Sequence, residues 1–307
     1  MDQIYDVIIV GGGPGGYSAA LYCARAGLHT LVLEKLSAGG QMASTAQVDN
    51  YPGFDEGVAG FELGEKMQRG AERFGAVTEY RTVTALHMAE QPKRIETAGG
   101  EYLAKAVIYA AGASPRALGL PGEAALRTRG VSYCATCDGM FYRGKTVAVA
   151  GGGNTAVADA LELAGLCKTV FLIHHRDSLR ADPVYLEPLQ KARNVKILWN
   201  TVIDDVLTEN GAFRGLSLTD KPTGEKRELP CDGLFVAVGQ VPDTALLQGQ
   251  AELDKTGYLV ADETTRTSVP GLFAVGDVRT KPLRQIVTAA ADGAVAAKFA
   301  AEYLLGL

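Results

Sequence analysis

The chain has one tryptophan, four histidines and five cysteines in 307 residues, and no apolar run long enough to cross a bilayer. Its cysteines, at 23, 134, 137, 167 and 231, do not form the paired framework of a small secreted domain. Cys23, Cys167 and Cys231 lie in apolar surroundings and read as small buried residues. The histidines, at 29, 87, 174 and 175, form no spaced set, so the one C-x-x-C lacks partners for a tetrahedral zinc site and no metal is expected. Basic runs are also missing. With a formal net charge of −5, nucleic acid is not an expected partner. The start, Met1-Asp2-Gln3-Ile4-Tyr5-Asp6, carries acids where an export signal needs bases, and the apolar run Val7–Val10 is too short for a signal core. A cytoplasmic protein without membrane attachment is expected.

Glycine is abundant, with 37 residues and no collagen-like period, as expected for phosphate-binding and tight turns. Asp6–Val10 reads as a buried parallel strand that runs into Gly11-Gly12-Gly13-Pro14-Gly15-Gly16. A helix is expected over Ser18–Ala26 and a second strand over Thr30–Leu33. This βαβ context gives the glycines a purpose. Gly11 permits a tight turn, Gly13 lets a pyrophosphate approach the backbone, and Gly16 allows close packing of helix on strand. Glu34 ends the second strand, where a carboxylate accepts hydrogen bonds from ribose hydroxyls.

The same plan recurs 140 residues later. Val147–Ala150 replaces the first strand, Gly151 and Gly153 replace Gly11 and Gly13, and Ala156 replaces Gly16. His174 falls at the position of Glu34 and opens a basic stretch, His174-His175-Arg176, with Arg180 a helical turn further. Arg pairs with a ribose 2′-phosphate that a carboxylate would repel. The first unit therefore suits a dinucleotide with free ribose hydroxyls and the second suits NADPH; a solvated strand end is the plainer alternative for the basic stretch. A further repeat, Val107–Pro115 and Leu234–Pro242 at an offset of 127, reads as a strand ending at Gly112 or Gly239. Leu272–Val278 reads as a strand ending in Gly276-Asp277, followed by an alanine-rich helix over Arg284–Ala301. These last two elements have no place in the second unit and are assigned back to the first. Crossings are expected near residues 115–120 and 243–248.

Thirteen residues before the second glycine turn stands Cys134-Ala135-Thr136-Cys137, a pair able to cycle between dithiol and disulfide. Together with Asp138-Gly139, GGGNTA at 151–156, the basic stretch, GGGPGG at 11–16, Gly39-Gly40-Gln41, Gly276-Asp277 and Arg284-Gln285-Ile286, it resembles the bacterial low-molecular-weight thioredoxin reductases over essentially the whole chain. The resemblance implies an α/β fold of two Rossmann-like dinucleotide-binding domains. Residues 1–117 and 245–307 would form an FAD domain split in sequence, and residues 118–244 an inserted NADPH domain carrying the dithiol. It implies a homodimeric enzyme that reduces thioredoxin.

By the same resemblance FAD is assigned to Gly11, Gly12, Gly13, Pro14, Gly15, Gly16, Glu34, Gln41, Asn50, Asp277, Arg284, Gln285 and Ile286. NADPH is assigned to Gly151, Gly153, Asn154, Thr155, His174, Arg176 and Arg180. Cys137 would face the flavin, Cys134 would attack thioredoxin, and Asp138 would supply a proton if burial raised its pKa from about 3.9. A dithiol serving both flavin and protein partner implies two arrangements of the domains, hinged at the crossings. The chain departs from the family twice. His175 replaces an arginine, so NADPH preference is expected to survive in weakened form. Met140-Phe141 replaces a phenylalanine pair that, with the arginine matched by Arg129, docks thioredoxin in the family; core packing is the alternative role. Other possible activities are a flavin-dependent dithiol oxidase, a ferredoxin-fed or peroxiredoxin-reducing flavoprotein, and a non-catalytic nucleotide and redox sensor.

Overall fold

A computed structural model describes residues 4–45 and 47–306; the acidic start at Met1-Asp2-Gln3 lies outside the described residues. The chain forms two compact units, 1–114 with 241–307, and 115–240. The changeovers fall a few residues before the boundaries expected from the sequence. They lie in two short strands, Ala113–Pro115 and Gln240–Pro242, which pair with each other.

In the first unit the central sheet runs Val77–Tyr80, Thr30–Glu34, Ile4–Val10, Gly100–Tyr109, Lys93–Thr97, Val83–His87. The long strand Gly100–Tyr109 also pairs in parallel with Leu272–Ala274, whose Leu272 lies opposite Val107. Successive residues of Ile4–Val10 go to opposite cores. Val7 and Ile9 pack with Val32, Ala106 and Ile108, while Ile8 and Val10 pack with Leu31, Leu33, Val107 and Tyr109. Burial on both faces is what a near-continuous apolar strand in a parallel sheet requires. One face is covered by the helices Pro14–Arg25 and Ile286–Leu305, which approach closely because their contact is made of small residues. A Cβ placed on Gly293 would lie 2.3 Å from the Gly15 carbonyl oxygen, and Ser18 Oγ donates to the Ala290 carbonyl at 2.6 Å. The alanine richness of the last helix is thus a packing requirement.

The second unit repeats the arrangement with strands Val195–Leu198, Thr169–Ile173, Thr146–Ala150, Gly233–Val236 and Val131–Ser132. It adds an antiparallel sheet of Thr201–Glu209, Ala212–Asp220 and Lys226–Pro230. The repeat extends to single hydrogen bonds. Gly11 N–H donates to Leu33 O at 2.9 Å and Gly151 N–H to Ile173 O at 3.1 Å, both pairs related by 140. Ala110 N–H donates to Val10 O at 2.8 Å and Ala237 N–H to Ala150 O at 2.9 Å, the donors related by 127.

Several element boundaries differ from the sequence expectations, and the strands expected to end at Gly112 and Gly239 stop at Tyr109 and Val236. The first helix begins at Pro14 rather than Ser18, because Pro supplies a helical φ at N1, where its missing N–H costs nothing. The strand expected over Leu272–Val278 stops at Ala274 and gives way to a 3-10 turn at Gly276–Val278, Gly276 having φ +74°. The last helix starts at Ile286, not Arg284, since Gln285 and Thr288 form a reciprocal capping box. It ends at Leu305, before a left-handed Gly306, rather than at Ala301.

Candidate active site and nucleotide sites

Cys134 and Cys137 are joined by a disulfide, with Cα atoms 5.3 Å apart. Cys134 precedes the short helix Ala135–Asp138, and the Cys137 N–H points at Cys134 Sγ from 3.2 Å. Such a donor favours negative charge on the sulfur, and a thiolate is the nucleophilic form. Asp138 is half-buried and accepts a hydrogen bond from Ser132 Oγ at 2.7 Å; the same hydroxyl accepts from the Cys134 N–H at 3.2 Å. Thr136 Oγ1 donates to Glu162 Oε2 at 2.8 Å, tying the disulfide helix to the helix Asn154–Ala164 that opens at the second glycine turn. The other cysteines, Cys23, Cys167 and Cys231, are buried thiols. Burial pushes Cys23 and Cys231 up to about 12, well out of the reactive range.

In both glycine turns the helix that follows has a glycine N-cap, Gly13 or Gly153, and no side-chain cap. The first-turn N–H groups are therefore left for an external acceptor, and a helix N-terminus attracts an anion. A Cβ on Gly13 or on Gly153 would meet nothing within 4 Å, so both turns face open space. Gly16 is different, since a Cβ there would lie 1.9 Å from the Gly11 carbonyl oxygen. At the matching position the second turn holds Ala156, with Gly151 at φ +150° where Gly11 has +105°. Gly16→Ala is expected to destabilise the first unit by about 1–3 kcal/mol through overpacking, measured by urea unfolding, whereas Ala156→Gly removes no such clash.

The residue ending the second strand turns back on the glycine loop in each unit. Glu34 is buried and accepts from the Gly12 N–H at 2.6 Å and the Leu36 N–H at 2.9 Å. His174, 2% exposed, lies against Gly152, where a Cβ would come within 2.3 Å of its ring. Burial holds the His174 imidazole below its usual pKa, so the group is neutral at pH 7. Arg176 and Arg180 are exposed beside it, and the Arg180 N–H donates to the Gly152 carbonyl at 2.7 Å. Asn154 and Asp182 bond reciprocally, at 2.6 and 2.7 Å, which pins the start of the helix to the segment after Arg180. Thr155 is exposed at that helix start.

The remaining first-unit residues form two groups around the first glycine turn. Gly40 abuts Gly13, and Gln41 is exposed in the 3-10 turn Gly40–Ser44. Asn50 Nδ2 donates to Gln285 Oε1 at 3.0 Å, and Ile286 packs beside Met42, Val48 and Leu63. Asp277 follows Gly276, and its Oδ1 is buried without a hydrogen-bond partner among the described residues. Burial raises its pKa, and the nearby Lys281 and Arg284 counter that shift. A buried oxygen without a donor is the expected state of a group that binds a polyol. Arg284 lies 4.0 Å over the Tyr258 ring and donates to the Arg279 carbonyl.

A family model described as pyridine nucleotide-disulphide oxidoreductase matches residues 5–293. The chain belongs to the pyridine nucleotide-disulphide oxidoreductases. It is 47% identical over 304 residues to a thioredoxin reductase of Treponema pallidum, covering 99% of this chain and 98% of that protein. The crystal structure of thioredoxin reductase from Streptococcus pyogenes superposes with a TM-score of 0.89 at 38% identity and covers 100% of both chains. A glucosaminate ammonia-lyase of Pseudomonas fluorescens is 45% identical over 309 residues, covering 98% of this chain and 96% of that protein. Among the described residues, no helix of this oxidoreductase is long and apolar enough to cross a membrane.

Several supporting residues escape a reading by motif. Ser132 bonds both Asp138 and the Cys134 amide, yet a single serine carries no sequence signal. Asp292, on the last helix, accepts from the Gly276 N–H at 2.9 Å, Arg279 at 3.0 Å and Lys281 at 2.7 Å. It thereby fixes the backbone just before Asp277. Met140 and Phe141 are 51% and 52% exposed, and Arg129 is exposed as well. That exposure argues against a core-packing role.

Proposed function

We propose that the chain is an NADPH-dependent, FAD-containing thioredoxin-disulfide reductase that acts as a homodimer in the cytoplasm. The observation that carries this reading is the Cys134–Cys137 disulfide on the same unit as a glycine turn flanked by Arg176 and Arg180. Residues 1–114 with 241–307 would hold FAD, and residues 115–240 would hold NADPH and the dithiol. In the first unit the turn Gly11–Gly16 receives the pyrophosphate, Glu34 the ribose and Asp277 the ribitol hydroxyls. Gln41, Asn50, Arg284, Gln285 and Ile286 line the flavin end. When bound, FAD supplies two-electron transfer from the nicotinamide to a disulfide.

The chain's own residues do the rest. Gly151, Gly153, Asn154 and Thr155 place the NADPH pyrophosphate at a helix N-terminus, beside His174, and Arg176 and Arg180 engage the 2′-phosphate. Reduction breaks the Cys134–Cys137 bond and leaves two thiols. The Cys134 thiolate attacks thioredoxin's disulfide and forms a mixed disulfide, releasing one thioredoxin thiolate. Cys137 then attacks Cys134 Sγ, restoring the intramolecular disulfide and freeing the second thiol. Asp138, bonded to Ser132 beside the dithiol, is the candidate acid for the departing thiolate. Met140, Phe141 and Arg129 offer the docking surface. A lyase activity, the name borne by the Pseudomonas fluorescens relative, would leave the dithiol without work.

Steady-state kinetics test the reading. NADPH oxidation is expected to depend on added thioredoxin and to release thioredoxin thiols in equal measure. NADPH oxidation without such thiols would overturn it. The ratio of kcat/KM for NADPH over NADH is expected to exceed one; a preference for NADH would overturn the cofactor assignment.

A further inference from the structure

The loss of an arginine at position 175 leaves the basic strand end with two fixed charges, Arg176 and Arg180, when the motif alone is counted. A third cation reaches the same place from a distant part of the chain. The His174 and Arg176 carbonyls accept from the backbone N–H groups of Thr201 and Asn200, each at 3.0 Å. The Asn200 carbonyl in turn accepts from the Lys221 N–H at 2.8 Å. Lys221 follows the strand Ala212–Asp220, and its Nζ donates to the His175 carbonyl at 3.2 Å. The antiparallel sheet thus places an ammonium group on the backbone of residue 175 itself.

We infer that Lys221 is a specificity-determining residue of the second unit, supplying the fixed positive charge that His175 does not and binding the 2′-phosphate of the nucleotide together with Arg176 and Arg180. This rests on the NADPH assignment above and deepens it. Three observations support it. Arg176, Arg180 and Lys221 form no ion pair among the described residues, and the neighbouring Asp220 carboxylate is taken up by the Thr223 N–H and hydroxyl. None of the three cations is held by a carboxylate of those residues at contact distance, so all three can turn to a phosphate dianion. The His175 ring has a different task, since its Nε2 accepts from Arg176 Nε at 3.2 Å. That contact needs a neutral ring, which burial and the charges of Arg176, Lys221 and Arg180 favour by lowering its pKa. With Nε so engaged, the two terminal nitrogens of Arg176 remain for a bidentate grip on phosphate oxygens.

The test is calorimetric binding of 2′,5′-ADP and 5′-AMP to the FAD-loaded protein, which needs no turnover. Lys221 is exposed, so its replacement should leave the fold intact, as circular dichroism would verify. Lys221→Met and Lys221→Gln are expected to weaken 2′,5′-ADP binding roughly fivefold, while 5′-AMP binding stays unchanged. Lys221→Arg, which restores charge, should keep native affinity. Rescue by Gln as well as Arg would show a mere hydrogen bond to the His175 carbonyl and overturn the proposal. Arg176→Met separates the two claims. If Arg176→Met weakens 2′,5′-ADP binding and Lys221→Met does not, the inference about Lys221 fails while the NADPH assignment stands. If native protein binds both ligands equally, the assignment itself fails, and the inference with it.

Discussion

Cys134→Ser is expected to lower thioredoxin reduction by on the order of a thousandfold or more, because loss of an attacking nucleophile removes the reaction path rather than tuning it. The remaining Cys137 cannot close an intramolecular disulfide, so each encounter would end at a mixed disulfide or not begin. Nucleotide binding should be untouched, since the glycine turn Gly151–Gly153 and the cations beside it do not involve the sulfur. The variant thus separates chemistry from binding. Calorimetry with an NADP analogue should match the native protein while the thioredoxin assay falls to background. Retained thioredoxin reduction in Cys134→Ser would mean that electrons leave by another route.

Asp292→Ala is expected to produce the largest loss of stability. Its carboxylate joins the Gly276 amide, Arg279 and Lys281, whose side chains are only 10% and 6% exposed. Removing that carboxylate takes the salt-bridge partner from two buried cations, which costs about 3–5 kcal/mol where a buried pair is broken. For a unit of this size that corresponds to a fall in Tm of roughly 10 °C. Glu187→Ala provides the contrast. It breaks an ion pair with Lys191 whose side chains are 74% and 73% exposed, and no measurable change in Tm is expected. Differential scanning calorimetry on both variants decides between a structural Asp292 cluster and a solvated one. The cluster also holds the peptide before Asp277, the residue proposed to bind the ribitol chain.

The offsets of 140 and 127 were legible in the sequence because each equivalent pair performs one backbone task. Gly11 and Gly151 donate to the neighbouring strand, and Ala110 and Ala237 close onto the first strand of their unit. The elements that escaped are those whose burial does not follow apolarity. Lys93–Thr97 buries Lys93, whose ammonium donates to the Met88 carbonyl, and Val83–His87 pairs beside it as a half-exposed strand. The antiparallel sheet of the second unit is likewise half-exposed, with charged residues spread through its strands. Those strands nonetheless matter, since they carry Lys221 to a residue 46 positions earlier. No local pattern reports such an approach. Ser132 and Asp292 escaped for the same reason. Each acts across a turn or from another helix, on an amide whose position only the folded chain fixes.

The proposed function requires Cys134 and Cys137 to relay electrons from NADPH to a protein disulfide. Anaerobic addition of NADPH to the purified FAD-loaded protein, followed by alkylation and mass spectrometry, tests it most directly. Both cysteines are expected to become alkylated on adding NADPH. Oxidised thioredoxin is expected to protect them again, with two new thiols appearing on the thioredoxin. Oxidation of NADPH with Cys134 and Cys137 still resistant to alkylation would contradict that relay.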